Sequence, residues 1–222
     1  SFTPTTYYVE SSGIGLALRY FPRQSGRRIA VVGLGTGTMA AFGRKGDMIR
    51  IYEINPQVRR LAESWFTYLK QCPAKVEIVM GDARLSMEAE PPQQYDVLAL
   101  DAFTSDAIPV HLLTKEAVEI YLRHLKPDGI LAVHVSNRYL NLQPIVSNLA
   151  RHFKLGSAVI SNDSEPEWWS YASTWMLLTH NSEFLALEPI RDAAKTEEDA
   201  TNSTARVALW TDDHASLLEI LK

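Results

Sequence analysis

Cysteine is nearly absent: Cys72 stands alone in 222 residues, which excludes an internal disulfide and makes a reducing, cytoplasmic setting the expected one. No Cys/His cluster has zinc spacing, so no metal is expected. No apolar run approaches the ~20 residues that cross a bilayer. The opening SFTPTTYYVE has neither the basic nor the apolar stretch of a signal peptide, so this chain is not expected to insert into a membrane. Basic residues are not in excess either: 22 Lys and Arg face 26 Asp and Glu, for a net charge of -4 and a pI near 5.9. That balance excludes the basic stripe that binds nucleic acid through counterion release and favours a cationic small-molecule partner. The first residue is Ser rather than Met, as expected of a piece of something longer.

What is present is ordinary globular material, 46% hydrophobic and 22% charged, enough for one domain over 1–222 that buries roughly 70% of its unfolded surface. Residues 1–27 read as a lead-in. RIAVVG at 28–33 reads as a buried strand ending in a sharp turn, Thr38 to Arg44 as a short helix, and Met48 to Glu53 as a second strand. Asn55 then caps a helix with Pro56 in its first position; Val58, Leu61, Ala62, Trp65 and Leu69 supply its apolar period, and Pro73 stops it. Strands at 75–80 and 95–100 flank a short helix near 84–89. A helix at 112–125, a turn at Lys126 to Gly129, a strand at 130–135 and a helix at 142–153 follow. Candidate strands at 157–161 and 174–180 have no strong helix between them, which predicts an antiparallel hairpin at the sheet edge. Residues 191–205, polar and without periodicity, read as a surface excursion carrying the chance sequon Asn202-Ser203-Thr204. The class is α/β, with a mostly parallel, doubly wound, Rossmann-like sheet whose ligands sit beyond the carboxyl strand ends.

Three features converge at those ends. Gly33, Gly35 and Gly37, with Thr36 among them, follow the first strand and let the backbone approach a ligand at a helix start. Glu53 ends the second strand, where a carboxylate can grip both ribose hydroxyls. Asp82, followed by Ala83, ends the third, placed to accept from an adenine amino group. A dinucleotide fingerprint would want glycine at Thr38, so an adenosyl sulfonium is favoured over NAD. The plainer reading leaves Glu53 and Asp82 as solvating acids at strand ends.

The stretches GLGTGTMA, YEINPQV, GDAR, YDVLALDAFTSDAIPVHLLT, HVSNRYLNLQP and WTDD, spread over residues 7 to 213, resemble the spermidine synthase family, in particular versions found as soluble portions of membrane-fused proteins. The resemblance implies the class I S-adenosylmethionine-dependent methyltransferase fold. It implies aminopropyl transfer from decarboxylated S-adenosylmethionine, a co-substrate rather than a permanently bound cofactor, to an amine such as putrescine, releasing methylthioadenosine. It also implies dimers, although the chain shows no dimer face. The amino-terminal β-domain of complete polyamine synthases has no counterpart ahead of Tyr7. Such chemistry needs a base, because an alkyl ammonium of pKa about 10 is only about one part in a thousand neutral at pH 7, a cost of roughly 4 kcal/mol. By resemblance Asp101 is that base and Asp106 an amine-binding gate, but four residues separate them here where the family has two. Tyr8 and Glu10 match a Tyr-x-Glu that helps orient the nucleophilic nitrogen; the plainer reading is that Tyr7 and Tyr8 pack a terminal segment. Asp212 and Asp213 are a second ammonium contact or a helix cap. Asn137, Arg138 and Tyr139 follow the fifth strand and could line the pocket. His111 and His134 lie near the same strand ends and are candidate general bases, but His134 sits in an apolar strand and is expected to be a satisfied core histidine. Trp168, Trp169 and Trp175 are expected to pack.

Two other functions stay open. An ordinary methyltransferase often carries an acid two residues before the first glycine to hold the methionine ammonium; Val31 occupies that place. Polyamine synthases carry an acid inside the glycine loop; Thr36 replaces it. A non-catalytic nucleoside-binding module of a membrane protein is the third reading.

Overall fold

The computed structural model describes residues 3–23, 26–102, 109–163, 170–195 and 207–222. Asp106, Trp168, Trp169 and the sequon lie outside them.

Seven strands form one sheet: β1 (Arg28–Val32), β2 (Met48–Glu53), β3 (Lys75–Met80), β4 (Tyr95–Leu100), β5 (Leu125–His134), β6 (Gly156–Asn162) and β7 (Ser173–Thr179), in the order β3-β2-β1-β4-β5-β7-β6. Strands β1 to β5 run parallel. The antiparallel edge pair expected from 157–180 is present, with β7 lying inside, between β5 and β6. The central strands carry apolar residues on both faces, and every residue of β4 is buried, as helices on both sides of a parallel sheet require. Alternation divides the core. Val32, Leu98, Leu100, Val133 and Met176 face α4 (Ala83–Ala89), α5 (Lys115–His124) and α6 (Gln143–His152). Val31, Val97, Ala99, Ala132 and Trp175 face α1 (Gly13–Tyr20) and the short helices α7 (Ser182–Leu185) and α8 (Glu188–Ala193). Strand order reverses at β1 and β4, so the loops after them part and open a crevice at the carboxyl ends.

Several expectations change. The lead-in holds a helix, α1, capped by Ser12, whose hydroxyl accepts from Gly15 N–H at 3.1 Å. Gly13 lets α1 lie on β7, because a Cβ there would come within 2.5 Å of Trp175 Cβ. The helix begun at Pro56 breaks into α2 (Pro56–Trp65) and α3 (Tyr68–Gln71); of its apolar stripe only Ala62 is buried, and Trp65 is 80% exposed. Among the described residues α2 packs chiefly against α3 and β2, which leaves most of that stripe in solvent. Lys126 to Gly129 are carried within β5 between Leu125, paired with Tyr95, and Ile130, paired with Val97, a bulge where a free turn was expected. The supposed excursion begins as the end of α8, and Ala194 bridges to Ile160 with Lys195 N–H donating to Val159 at 2.8 Å, covering the open edge of β6. Residues 196–205 lie outside the described residues.

One buried ion pair ties the front of the sheet together. Arg27 donates to Asp47 Oδ2 from Nε (3.0 Å) and Nη2 (2.6 Å), and to the carbonyls of Leu18 (2.7 Å) and Phe42 (2.8 Å). Asp47 also accepts the Arg27 and Arg44 amides. Neither side chain reaches solvent.

Candidate active site

The crevice is a cleft of about 520 Å³ whose walls include Tyr7, Gly33, Gly35, Glu53, Ile54, Asp82, Ala83, Asp101 and His111. Each comes from a strand end or the segment just beyond it, apart from Tyr7, which the lead-in delivers, and His111, which stands in a 3₁₀ turn, Val110–Leu112, ahead of α5.

Gly33 turns the chain out of β1 at φ +100°, and a Cβ there would fall 2.4 Å from the Asp101 carbonyl oxygen. The glycine therefore allows β1 and β4 to end side by side, before any ligand is considered. Gly33→Ala is expected to cost about 2 kcal/mol or more, from left-handed strain worth roughly 1–3 kcal/mol plus that overlap, read as a lowered urea midpoint. An unchanged midpoint would show that the turn relaxes freely. Gly35 (φ +52°) has open space where a side chain would stand. Gly37 precedes a 3₁₀ turn, Thr38–Phe42, which replaces the expected short helix. Thr36 is exposed, its hydroxyl 2.8 Å from that of Thr38.

The Glu53 carboxylate is aimed by backbone. Leu34 N–H donates to Oε2 at 3.0 Å and Asn55 N–H to Oε1 at 2.7 Å, leaving one acceptor site on each oxygen. Asp82 caps α4 through Leu85 N–H (2.9 Å) and meets His111 Nε2 at 2.8 Å. Burial alone would raise the Asp82 pKa, but the Leu85 amide and His111 outweigh it and hold the carboxyl below its ordinary value.

Asp101 follows β4 and is 8% exposed. Oδ2 accepts from the Tyr8 hydroxyl, and Oδ1 lies 2.7 Å from His134 Nδ1. The His134 ring stacks between Tyr7 (centroids 4.7 Å) and Trp175 (4.6 Å). Burial first, and the Asp101 charge next, push both tyrosine phenols above the ordinary tyrosine pKa, so each stays protonated near neutral pH.

The structure thus brings Gly33, Gly35, Glu53, Asp82, Ala83 and Asp101 to one cleft. Tyr8 stands behind Asp101, its hydroxyl directed to that carboxylate, while its neighbour Tyr7 faces the cleft. Glu10 is elsewhere, in an exposed pair with Arg19 at 2.8 Å. Asp212 grips Arg84 at 2.5 and 2.7 Å and accepts from Thr114; the Arg84 hydrogen bond chiefly brings its pKa down to about 2. Asp213 is exposed in the turn joining Thr211 to His214, so neither acid caps a helix. Tyr139 is exposed beside Arg138. The sequence offers His111 and His134 as candidate bases and Tyr7 as packing, none of them counted with the site; Tyr7 and His111 line the cleft, and His134 meets Asp101. His134 is buried as expected of a core histidine, yet its partner is Asp101. The only signal would have been register: Leu100 pairs with Val133, so Asp101 and His134 are the next residues along adjacent strands.

No family model matches the chain. It is similar to a polyamine aminopropyltransferase of Vibrio vulnificus, 32% identical over 133 residues, 57% of this chain and 42% of the relative. It is also similar to an N-terminal histidine N-methyltransferase of Emericella nidulans, 33% identical over 111 residues, 50% of this chain and 20% of that protein. The chain therefore spans less than half the length of these curated relatives. Among solved structures, a probable spermidine synthase from Corynebacterium glutamicum superposes with a TM-score of 0.68 at 22% identity, covering 92% of this chain and 80% of that one. Human methyltransferase-like protein 13, solved with SAH, superposes at 0.59 and 21% identity, covering 90% and 94%. At these identities the two structures establish the fold, the Rossmann-like methyltransferase type.

Proposed function

We propose that this chain, a spermidine synthase-like protein, moves an aminopropyl group from decarboxylated S-adenosylmethionine to a small amine. The observation that carries this reading is the Asp101 carboxylate, fixed by Tyr8 and His134 at the end of the same cleft that presents Glu53 and the glycine turn. The adenosyl part would lie over Gly33 and Gly35, its ribose hydroxyls on the open acceptor sites of Glu53 and its base toward Asp82. Tyr7, an aromatic face on the cleft wall, suits a sulfonium or ammonium by cation–π attraction.

The step is a displacement at carbon. The amine nitrogen forms the new C–N bond, the C–S bond breaks, and its electron pair stays on sulfur as neutral methylthioadenosine. The proton lost from nitrogen goes to Asp101. In-line geometry requires the amine and the sulfonium on either side of the reacting carbon, which places the amine at the Asp101 end.

Purified protein given decarboxylated or intact S-adenosylmethionine and a panel of amines tests this by mass spectrometry of the released nucleoside; methylthioadenosine is expected. Methyl transfer is the second reading, favoured by the Emericella likeness and by Thr36 in place of an acid, and its mark would be S-adenosylhomocysteine. Against it, Val31 is buried in β1 and offers no carboxylate to a methionine ammonium.

Glu53→Gln is expected to raise the donor Kd roughly 5- to 10-fold, about 1–1.5 kcal/mol, because a neutral amide replaces a charged acceptor of the ribose hydroxyls. Calorimetry reads it; equal affinity in the folded variant would remove Glu53 from the site.

A further inference from the structure

We infer that His134 is the positioning residue of the reaction, donating Nδ1–H to Asp101 so that Asp101 acts as a base only while the His134 imidazole is neutral. This rests on the aminopropyl-transfer reading above, and extends it to a residue that touches neither substrate.

Three observations support it. The His134 Nδ1 to Asp101 Oδ1 distance is 2.7 Å with both side chains almost fully buried, so the contact is a desolvated one and not a surface pair. The ring is clamped between Tyr7 and Trp175, with interplanar angles of 24° and 16°, which keeps Nδ1 aimed at the carboxylate. Tyr8 holds the other oxygen, so rotation of the carboxylate is blocked from both sides.

A histidine in that place differs from an amide in one respect, its second protonation. Around it stand Asp101 from the end of β4, the Tyr7 and Tyr8 phenols from the lead-in and the Trp175 indole from β7. The phenols stay neutral near neutral pH, so Asp101 is the negative charge that an imidazolium would meet. An imidazolium beside it forms an ion pair and weakens its pull on the amine proton. As pH falls and the ring gains its proton, turnover therefore falls; as pH rises and the ring loses it, turnover is restored. The cleft-facing Tyr7 stacks on the same ring, so the protonation state also sits against the wall where the substrate cation binds.

The test is kcat against pH for the wild type, His134→Gln and His134→Leu, with methylthioadenosine as the readout. The wild type is expected to show an acid limb. Gln, a donor that does not titrate, should keep the alkaline plateau within about 10-fold and move the acid limb to lower pH, leaving only the limb that the carboxylate base and the amine themselves set, while Leu, which cannot donate, should lose more than 10-fold of the plateau. An acid limb left at the wild-type pH in His134→Gln, or a Leu variant equal to the wild type, would overturn the proposal. A second measurement needs no turnover: the His134 ring followed by NMR in labelled, substrate-free protein should titrate at lower pH in Asp101→Asn, which removes the charge that favours the imidazolium. An unmoved midpoint also overturns it. Wild type that releases no methylthioadenosine at any pH would defeat the transfer reading alone, leaving the pair to be judged by the ring titration.

Discussion

Asp101→Asn is expected to lower turnover about 10²- to 10⁴-fold, the usual contribution of a positioned base, while donor affinity stays within a few-fold. The separation follows from the layout of the cleft. Glu53, Asp82 and the glycine turn belong to β1, β2 and β3, and Asp101 to β4 on the other side of the crevice. Asparagine is nearly isosteric, so the Tyr8 hydroxyl can still donate to its carbonyl oxygen; the amide nitrogen, however, meets His134 as a second donor and accepts no proton from an amine. Single-turnover kinetics with calorimetry on the same protein reads both quantities. Lost nucleoside binding in a folded variant would reassign Asp101 to the donor site, and retained turnover would end its role as base.

Asp47→Ala is expected to be the most damaging single change to stability, about 3–5 kcal/mol, the cost of leaving one member of a buried ion pair unpaired. Arg27 would keep its bonds to the Leu18 and Phe42 carbonyls but hold an uncompensated charge where no solvent reaches it, and the Arg27 and Arg44 amides would lose their acceptor. The damage should spread to the glycine turn, since β1 begins one residue after Arg27. Urea unfolding measures it. The double variant Arg27→Met, Asp47→Leu should recover much of the loss by replacing two charges with apolar volume; a double variant no better than Asp47→Ala would show that the hydrogen bonds, and not the charge, were what mattered.

The strands were legible because burial on both faces leaves a mark that needs no partner to be read: IAVV, VLAL and ILAV are continuous apolar runs, and the antiparallel pair showed itself by the missing helix between its two candidate strands. Local chemistry also announced the cap at Asn55, which accepts from Gln57 N–H; the cap at Asp82, which accepts from Leu85 N–H, went unread because its place at a strand end pointed to a ligand. The helix α1 escaped because two glycines in GIGLALRY lower its intrinsic propensity, and only contact with β7 makes them useful. The stripe of α2 was legible as helical, but its exposure was not, since period reports which residues share a face and not what that face meets.

The same division runs through the site. The amino acids alone determined that glycines, Glu53, Asp82 and Asp101 would stand at the carboxyl ends of neighbouring parallel strands, because each directly follows or ends an apolar run, and strand ends in such a sheet share one edge. Only the tertiary structure decided which tyrosine faces the cleft, that Glu10 turns away to Arg19, and that His134 belongs to Asp101. Those choices depend on strand register and on how the lead-in folds back over β7, contacts between residues up to 166 positions apart, as in Tyr7 and Ser173. Spacing along the chain carries no record of them.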